Sequence, residues 1–270
     1  MDLSAYLNRV GFHATPRVDY ATMAAIHHGH LLNIPYENID VQSGTPLDFD
    51  LMRIFTKLVS AGRGGWCYEM NGLLGWALEQ LGFEVRRMSG AVMREALGDV
   101  QRANHLVLEV LLDGVPYLVD VGLGDGLRYP IPIEAGTHEQ GGLTYRLEPL
   151  ADGYWRFHNH RLSNVRSFDF THTTADEAEL AAKCQWLQSD PASPFLQVLI
   201  AQRFAEDGID MLLGRVLSRI TPDGKTSRTL ADIDELNSVA SDVFAIPVNL
   251  AHLWPAIEAA HERMTAAEPA

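Results

Sequence analysis

A cysteine at the start of a predicted helix is the first residue of this chain whose type and position could do chemistry. Cys67 follows Gly64 and Gly65, which allow a tight turn, and apolar residues recur from Met70 at helical spacing until Gly82. The unpaired N–H groups and the positive dipole end of a helix N-terminus favour a thiolate there. The same position also suits a small buried cysteine on the core face of the helix. A nucleophile therefore requires a partner base elsewhere in the chain.

A histidine and an aspartate lie on two strand-like runs that a short turn joins. The runs cover residues 104–112 and 115–121, and Asp113-Gly114 between them is a strong signal for a two-residue hairpin. In the register that this turn sets, His105 and Asp120 are diagonal neighbours on one face of the sheet, roughly 7–8 Å apart at the backbone. Side chains can bridge that distance. We therefore predict a His105–Asp120 pair.

The three residues together have the types that covalent catalysis requires. A thiol needs a base to take its proton, and the imidazole needs a carboxylate to hold its tautomer and stabilise its cation. An aspartate in an apolar strand is also costly to bury without a partner, which favours a hydrogen-bonded Asp120. We predict a triad of Cys67, His105 and Asp120 for acyl transfer or amide hydrolysis. The residues alone leave open whether water, an amine or another nucleophile is the acceptor.

The elements that must position this triad are predicted from periodicity and turn signals. Asp2, Asp19 and either Asp48 or Asp50 are predicted N-caps of the first three helices, and a further helix is predicted from near Ser193 to about Phe204. The predicted fold class is α+β. Its units are a helical bundle over residues 1–83, an antiparallel β-barrel over 84–174, a helical connector over 175–205 and a mixed α and β unit over 206–270.

Composition restricts the partners of this chain of 270 residues. Its net charge of −14 would repel a nucleic-acid backbone and gives no attraction to an anionic membrane, so neither partner is expected. Two cysteines provide no disulfide framework, and the first residues lack the pattern of a signal peptide. We therefore expect a cytoplasmic protein. No apolar run approaches the ~20 residues that cross a bilayer, and the oligomeric state is left open.

Other polar residues carry weaker signals. His27, His28 and His30 have the wrong separation for a paired metal site and are predicted to be surface residues. His158 and His160 could share a strand face but lack identifiable further ligands, so no metal is expected. Cys184 lies in a helical apolar stripe and is predicted to be a core residue.

Three segments of the chain resemble motifs of the arylamine N-acetyltransferases. They are Arg63-Gly64-Gly65-Trp66-Cys67-Tyr68-Glu69-Met70-Asn71, Asn33-Ile34-Pro35-Tyr36-Glu37-Asn38-Ile39 and Asp120-Val121-Gly122-Leu123-Gly124. Their order and spacing agree with the family as well. The resemblance implies a helical bundle, a β-barrel and an α/β lid around a cysteine-protease-like Cys-His-Asp core.

The same resemblance implies a ping-pong reaction with acetyl-CoA as the co-substrate. Acetyl-CoA would acylate Cys67, coenzyme A would leave, and an aromatic amine or hydrazine would attack the thioester while His105 moves the protons. Asp120 would orient His105. The resemblance further implies a set of residues that contact the donor or line the cleft, namely Tyr36, Asn104, Leu123, Gly124 and, by a looser match, Phe195. Glu37 and Arg63 would form a structural ion pair.

Several positions depart from the family pattern, and other reactions remain alternatives. Leu123 replaces the usual aromatic residue, Tyr36 replaces phenylalanine, and Asn104 stands where many relatives have threonine. These changes affect acceptor preference and donor affinity, because pocket shape sets selectivity. The alternatives are an amide synthase that closes a polyketide macrolactam with the same triad, and a cysteine hydrolase of the papain or transglutaminase type. A ligand-binding module with an inert cysteine is the non-catalytic alternative.

Overall fold

Helices and two antiparallel sheets make up residues 1–267, the part of the chain that this computed structural model describes. The α-helices are α1 (Leu3–Arg9), α2 (Tyr20–Asn33), α3 (Ile39–Gln42), α4 (Leu51–Phe55), α5 (Cys67–Gln80), α6 (Arg94–Leu97), α7 (Glu177–Ser189), α8 (Pro194–Gln197), α9 (Ile233–Asp242) and α10 (Trp254–Ala267). A π-helical turn (Thr56–Ser60) extends α4, and two 3-10 helices cover Asp99–Gln101 and Ala251–Leu253. The fold class is α+β, as predicted.

The strands separate into a sheet of eight and a sheet of five. They are β1 (Tyr36–Glu37), β2 (Glu84–Val92), β3 (His105–Leu112), β4 (Val115–Val119), β5 (Ile131–Pro132), β6 (Gly136–Gln140), β7 (Leu143–Pro149), β8 (Trp155–His158), β9 (Ser167–Thr174), β10 (Ile200–Ala205), β11 (Gly208–Leu213), β12 (Val216–Thr221) and β13 (Gly224–Thr229). The larger sheet has the order β5-β4-β3-β2-β9-β8-β7-β6, and the smaller has the order β1-β10-β11-β12-β13.

The N-terminal helices begin where the sequence predicts. Asp2, Asp19 and Asp50 each accept a hydrogen bond from a first-turn backbone N–H through their side chains. Trp66 is the N-cap of α5, and the carboxylate of Glu69 accepts a hydrogen bond of 3.3 Å from the Trp66 backbone N–H. Cys67 is therefore the first residue of α5, at the N-terminus of the helix as predicted.

The β3–β4 hairpin has the predicted register. Its turn residues Asp113 and Gly114 have φ values of 51° and 79°, the left-handed conformation that a two-residue hairpin of this type requires. Leu108 pairs with Val119, and β4 ends there. Asp120 consequently lies just beyond the end of the ladder, where its main chain no longer pairs with β3.

The eight-stranded sheet curves into a nearly closed barrel. The Gln140 side chain on β6, the strand at one edge, accepts hydrogen bonds from the backbone N–H groups of Arg128 and Tyr129, which precede the opposite edge strand β5. Helix α5 packs against this sheet, with Leu73, Leu74 and Leu78 in the same apolar core as the barrel interior. The helix that begins at Cys67 and the strand that begins at His105 are therefore held in one rigid core.

The five-stranded sheet draws on two distant parts of the chain. Tyr36 and Glu37 form β1 and pair with β10. The helix predicted to end near Phe204 is wrong, because helix α8 ends at Gln197 and Ile200–Ala205 is strand β10. Ile200–Ala205 is too short for its apolar residues to define either a helical or a strand period, and pairing with β1 and β11 decided the matter.

Helices α9 and α10 cover the five-stranded sheet through a second apolar core that contains Leu236, Phe244 and Ile257. Residues 268–270, the last three of the predicted unit 206–270, lie outside the described residues. Among residues 1–267, no helix has both the length and the apolar character that a membrane crossing needs.

Candidate active site

Cys67 lines a cavity of about 510 Å³ and is 3% exposed. Its Sγ is 3.9 Å from the Asn104 carbonyl oxygen. The next residue, Tyr68, donates a hydrogen bond of 2.7 Å from its hydroxyl to the Ala103 carbonyl, which ties the first turn of α5 to the start of β3. His105 lines the same cavity as Cys67. The fold thus brings the predicted nucleophile and the predicted base to one site.

His105 and Asp120 form the predicted contact. His105 Nε2 lies 2.9 Å from Asp120 Oδ2, and both side chains are buried. Burial disfavours the charged ring, but the carboxylate of Asp120 and the thiol of Cys67 outweigh it and raise the pKa of His105 to about 10. Burial likewise disfavours the Asp120 carboxylate, yet the pKa of Asp120 is lowered by His105 and by donors from Asn71 and Gly122. The pair is therefore arranged to hold an imidazolium beside a carboxylate.

Asn71 positions Asp120, a role that sequence reasoning missed. Its Nδ2 donates hydrogen bonds to Asp120 Oδ1 at 2.7 Å and to the Leu106 carbonyl at 2.6 Å, while its Oδ1 accepts one from the Val121 N–H at 3.0 Å. The signal was available in principle, because an asparagine one helical turn after the nucleophile on a buried face needs partners. Asn71 connects α5 to β3 and to the residues that follow β4.

The prediction that His27, His28 and His30 are surface residues is wrong for two of them. His27 and His30 are completely buried, and only His28 is partly exposed. The ring nitrogens of His27 lie 3.1 Å from the Asp120 carbonyl and 3.2 Å from the Arg128 carbonyl, and burial lowers the pKa of His27 to about 4. A neutral ring donates to one of these carbonyls at a time. His27 thereby supports the main chain of Asp120 where the ladder ends.

Two glycines let the backbone approach Cys67, Asn71 and His105 closely. A Cβ on Gly122 would lie 2.8 Å from Cys67 Cα and 2.7 Å from Asn71 Nδ2. A Cβ on Gly90, on β2, would lie 3.0 Å from His105 Cβ. A Cβ on Gly122 would therefore force the turn or α5 to shift, and one on Gly90 would crowd His105, although neither glycine has a positive φ.

The predicted substrate-contacting residues divide into those that line the cavity and one that does not. Tyr36, Asn104, Leu123 and Phe195 line it together with Cys67 and His105. Gly124 instead lies behind the wall, where its φ of 85° and its approach to the Gln202 side chain leave no space for a Cβ. Gln202 itself lines the cavity. The Asn104 amide is held by hydrogen bonds to the backbone of Val92, so its orientation is set from β2.

A network of ion pairs stands behind the N-terminus of α5. The predicted pair is present, with Arg63 Nη2 2.7 Å from Glu37 Oε1. Asp40 lies 3.0 Å from Arg63 and 2.8 Å from Lys57, and Lys57 lies 2.8 Å from Glu69. A cavity of about 700 Å³ adjoins this network but contains neither Cys67 nor His105, and its charged groups are already paired. Chemistry rather than volume therefore identifies the smaller cavity as the site.

The remaining candidates show no comparable arrangement. Burial, together with Cys67, raises the pKa of the Cys184 thiol, and Cys184 belongs to an apolar cluster. His160 is buried and His158 pairs with Glu148. In the part of the chain that the structure describes, no group of three or more His, Cys, Asp or Glu side chains is placed to hold a metal ion.

A family model described as N-acetyltransferase matches residues 19–253. An arylamine N-acetyltransferase of Mycolicibacterium smegmatis is 38% identical over 225 residues, which are 81% of this chain and 82% of that protein. This chain belongs to the arylamine N-acetyltransferase family.

Solved structures of the family have the same fold. The Mycobacterium marinum arylamine N-acetyltransferase in complex with CoA has a TM-score of 0.84 and 30% identity, covering 97% of this chain and 99% of that one. The M. smegmatis arylamine N-acetyltransferase has a TM-score of 0.86 and 32% identity, covering 95% and 97%. The likeness extends over both sheets and the helices, so it is not confined to the motifs.

Proposed function

We propose that this chain transfers an acetyl group from acetyl-CoA to the nitrogen of an arylamine or arylhydrazine. The observation that carries the proposal is the buried His105–Asp120 contact of 2.9 Å in a cavity that also contains Cys67. Family membership supports the reaction class, and the CoA complex of the Mycobacterium marinum relative supports the donor. Cys67, His105 and Asp120 would act as a cysteine-protease-like triad.

The first half-reaction would acetylate Cys67. The thiolate attacks the carbonyl carbon of acetyl-CoA while His105 is an imidazolium, a pairing that Asp120 favours by raising the pKa of His105. The bond from carbon to the sulfur of coenzyme A breaks as the bond to Cys67 Sγ forms. His105 gives its proton to the departing coenzyme A thiolate and becomes neutral. Unpaired N–H groups of the first turn of α5 would stabilise the developing negative charge.

The second half-reaction would restore the enzyme. The amine nitrogen attacks the acetyl-Cys67 carbonyl, and neutral His105 takes the proton that the nitrogen loses. The carbon–sulfur bond then breaks, which regenerates the Cys67 thiolate beside the His105 imidazolium. Protons and charges balance over the cycle without a metal, and the same residue serves as acid in one half and base in the other.

The cavity walls would select the amine. Tyr36, Leu123 and Phe195 are apolar surfaces near the nucleophile that suit an aromatic acceptor. Asn104 and Gly124 would shape the donor side, Asn104 by contact and Gly124 by letting Gln202 reach the wall. We also infer three structural units, a helical bundle, a barrel and an α/β lid, with the lid enlarged to include β10.

Two other reactions would use the same three residues. An amide synthase would take a bulkier acyl thioester and an amine of the same molecule, and a hydrolase would use water. The similarity to acetyltransferases over most of the chain favours neither alternative. Both differ from the proposal in how amine affects release of coenzyme A.

The decisive experiment is intact-mass analysis after mixing the protein with acetyl-CoA alone, with peptide mapping of the adduct. We expect one acetyl increment on Cys67 that disappears when an aromatic amine is added. Cys67→Ser should remain folded, since serine is a good residue at a helix start, and should show no turnover. Cys184→Ser is the matched control, and Cys67 should still be acetylated in this variant. A folded Cys67→Ser variant with near-normal acetyl transfer would contradict the proposed mechanism.

A further inference from the structure

Three exposed cations lie on or beside the loop between β8 and β9 in a strongly acidic protein. They are Arg161 and Arg166 on the loop and Lys225 on β13. Within residues 1–267, none of the three has a carboxylate within the 4 Å of an ion pair, whereas cations such as Arg146 and Arg228 do. A concentration of uncompensated positive charge in a chain of net charge −14 calls for an anionic partner.

The three cations are close together and fastened to the active-site wall. Lys225 Nζ lies 3.3 Å from Asn164 Oδ1, and Arg166 donates a hydrogen bond of 2.6 Å to the Arg161 carbonyl. Burial is the main cause of the low pKa of His160, and the charges of all three cations lower it further, which places them around that residue.

The loop itself is anchored to the turn that follows Asp120. His160 Nε2 lies 3.1 Å from the Asp125 carbonyl, and Asn159 donates a hydrogen bond of 3.1 Å to the Asp125 carboxylate. Asn164, Val165 and Asp125 all line the cavity that contains Cys67. The cations therefore stand at the rim of this cavity. The Asp125 carboxylate beneath them is buried, so it does not face a ligand on the outside of the loop.

We propose that Arg161, Arg166 and Lys225 bind the phosphate groups of the acyl donor at the mouth of the cavity. The inference rests on the proposed function, because it takes the donor to be a thioester of the coenzyme A type. Such a donor has its thioester at one end and several phosphates at the other. With the thioester at Cys67, the phosphates must remain outside the buried part of the cavity. Guanidinium groups bind phosphate through paired charge-assisted hydrogen bonds, and lysine adds a point charge.

A second basic region on the rim offers a matched control. Arg102 and Lys183 lie beside Gln101 and Trp186, which also line the cavity. Arg102 is 3.7 Å from Glu179, and Lys183 donates a hydrogen bond of 2.7 Å to the Val100 carbonyl. Arg102 has a carboxylate partner and the Lys183 ammonium lies 4.5 Å from the centre of the Trp186 ring, so both charges already have a favourable partner. We therefore do not expect them to hold the phosphates.

The test compares the triple variant Arg161→Gln/Arg166→Gln/Lys225→Gln with the double variant Arg102→Gln/Lys183→Gln. Calorimetry measures the Kd of CoA, and steady-state kinetics measures kcat/KM for acetyl-CoA and for acetyl-pantetheine, which lacks phosphate. We expect the triple variant to bind CoA at least about tenfold more weakly and to lose most of the preference for acetyl-CoA over acetyl-pantetheine. Added salt should weaken CoA binding in the unmodified protein more than in this variant.

Each outcome is informative. Loss in the double variant instead, or unchanged CoA affinity in a folded triple variant, would overturn the phosphate assignment while acetyl transfer still stands. The unmodified protein could also bind CoA tightly but transfer no acetyl group, while the triple variant loses CoA binding. That result would support the phosphate site and refute the proposed function. Circular dichroism and thermal unfolding verify that the variants fold, which is expected since all substituted side chains except Lys183 are exposed.

Discussion

The carboxylate of Asp120 is fully engaged at the residue scale. Oδ2 contacts His105, and Oδ1 accepts hydrogen bonds from the Asn71 side chain and from the Gly122 N–H at 2.7 and 2.8 Å. The carboxylate therefore has one orientation, and the imidazole is held with it. Because the carboxylate raises the pKa of His105, its removal changes both the geometry and the charge of the ring.

Asp120→Asn should lower kcat/KM by about 10³–10⁴, as expected when a triad carboxylate is replaced and the imidazole takes the wrong tautomer. The pKa of His105 should also fall from about 10, so the alkaline limit of the acetylation rate should move to lower pH. A pH profile of kcat/KM measures both effects.

Asp113→Asn is the control for this substitution. Its hairpin turn accepts asparagine as readily as aspartate, so activity should be unchanged. Full activity of Asp120→Asn across the pH range would remove Asp120 from the site.

Asp125 provides a stability prediction at the same scale. Burial raises its pKa from 3.8 to about 6, even though Ser163, Asn159 and Lys225 favour the carboxylate. Its Oδ2 has no hydrogen-bond partner among residues 1–267. Because the folded-state pKa exceeds the unfolded one, this group stabilises the fold most below pH 3.8, and that contribution is lost as pH rises through about 6.

Asp125→Asn should consequently raise the free energy of unfolding at pH 7.5 by of order 2–3 kcal/mol. The variant should therefore unfold at a higher urea concentration than the unmodified protein. The difference should shrink toward pH 4, where the carboxyl of Asp125 is largely neutral in the folded state and only about half ionised in the unfolded state. Urea unfolding at the two pH values measures it. Equal stability of the two proteins at pH 7.5 would mean that the carboxylate is not destabilised by burial.

At the scale of elements, the close packing of the turn after β4 against the start of α5 sets the site. A Cβ on Gly122 would meet backbone and side-chain atoms of Cys67 at 2.8–2.9 Å. Helix α5 cannot move away freely, because Asn71 and Tyr68 hold it to β3 by hydrogen bonds. The turn and the helix must therefore keep their spacing for the thiol to remain beside His105.

Gly122→Ala should reduce kcat by about 10²-fold, since a shift near 1 Å at reacting groups has that effect. Gly136→Ala is the matched control, because its Cβ would meet nothing within 4 Å and its φ is not positive. Kinetics and thermal unfolding of both variants distinguish local displacement from general loss of stability. Normal activity of Gly122→Ala would show that the turn can retreat from α5 without consequence.

At the scale of the whole molecule, one short segment joins the helices to the five-stranded sheet. Tyr36 and Glu37 pair with β10, and Tyr36 also forms a bridge with Gly65, two residues before Cys67. Asn38 reinforces this connection, since its amide bonds to the backbone at Phe195, Val198 and Ile200. The ion network of Glu37, Arg63, Asp40, Lys57 and Glu69 lies immediately behind it.

Lys57→Met should destabilise the protein by about 3–5 kcal/mol, because it removes the cation paired with the buried Glu69 and leaves Asp40 with Arg63 alone. Arg53→Met removes a cation from an exposed pair with Asp48 and should cost at most about 1 kcal/mol. Urea unfolding at pH 7.5 gives both values. Equal losses for the two variants would contradict the distinction between buried and exposed pairs.

Local chemistry in the sequence was sufficient for the helix caps and the β3–β4 register. Each of these depends on residues a few positions apart. Asp113-Gly114 determines which residues oppose one another, and Asp2, Asp19 and Asp50 close helix ends that would otherwise expose N–H groups. The His105–Asp120 contact follows from that register, and three short motifs predicted the family.

Only the tertiary structure decided the parts that depend on distant partners. The segment 200–205 is a strand because β1 and β11 are available to pair with it, which its own apolar pattern cannot reveal. His27 and His30 are buried because carbonyl, hydroxyl and methionine groups from elsewhere surround them. Asn71 acquires its role by meeting strand ends some 35 and 49 residues away. Periodicity describes one element at a time, whereas these contacts exist only after the elements have packed.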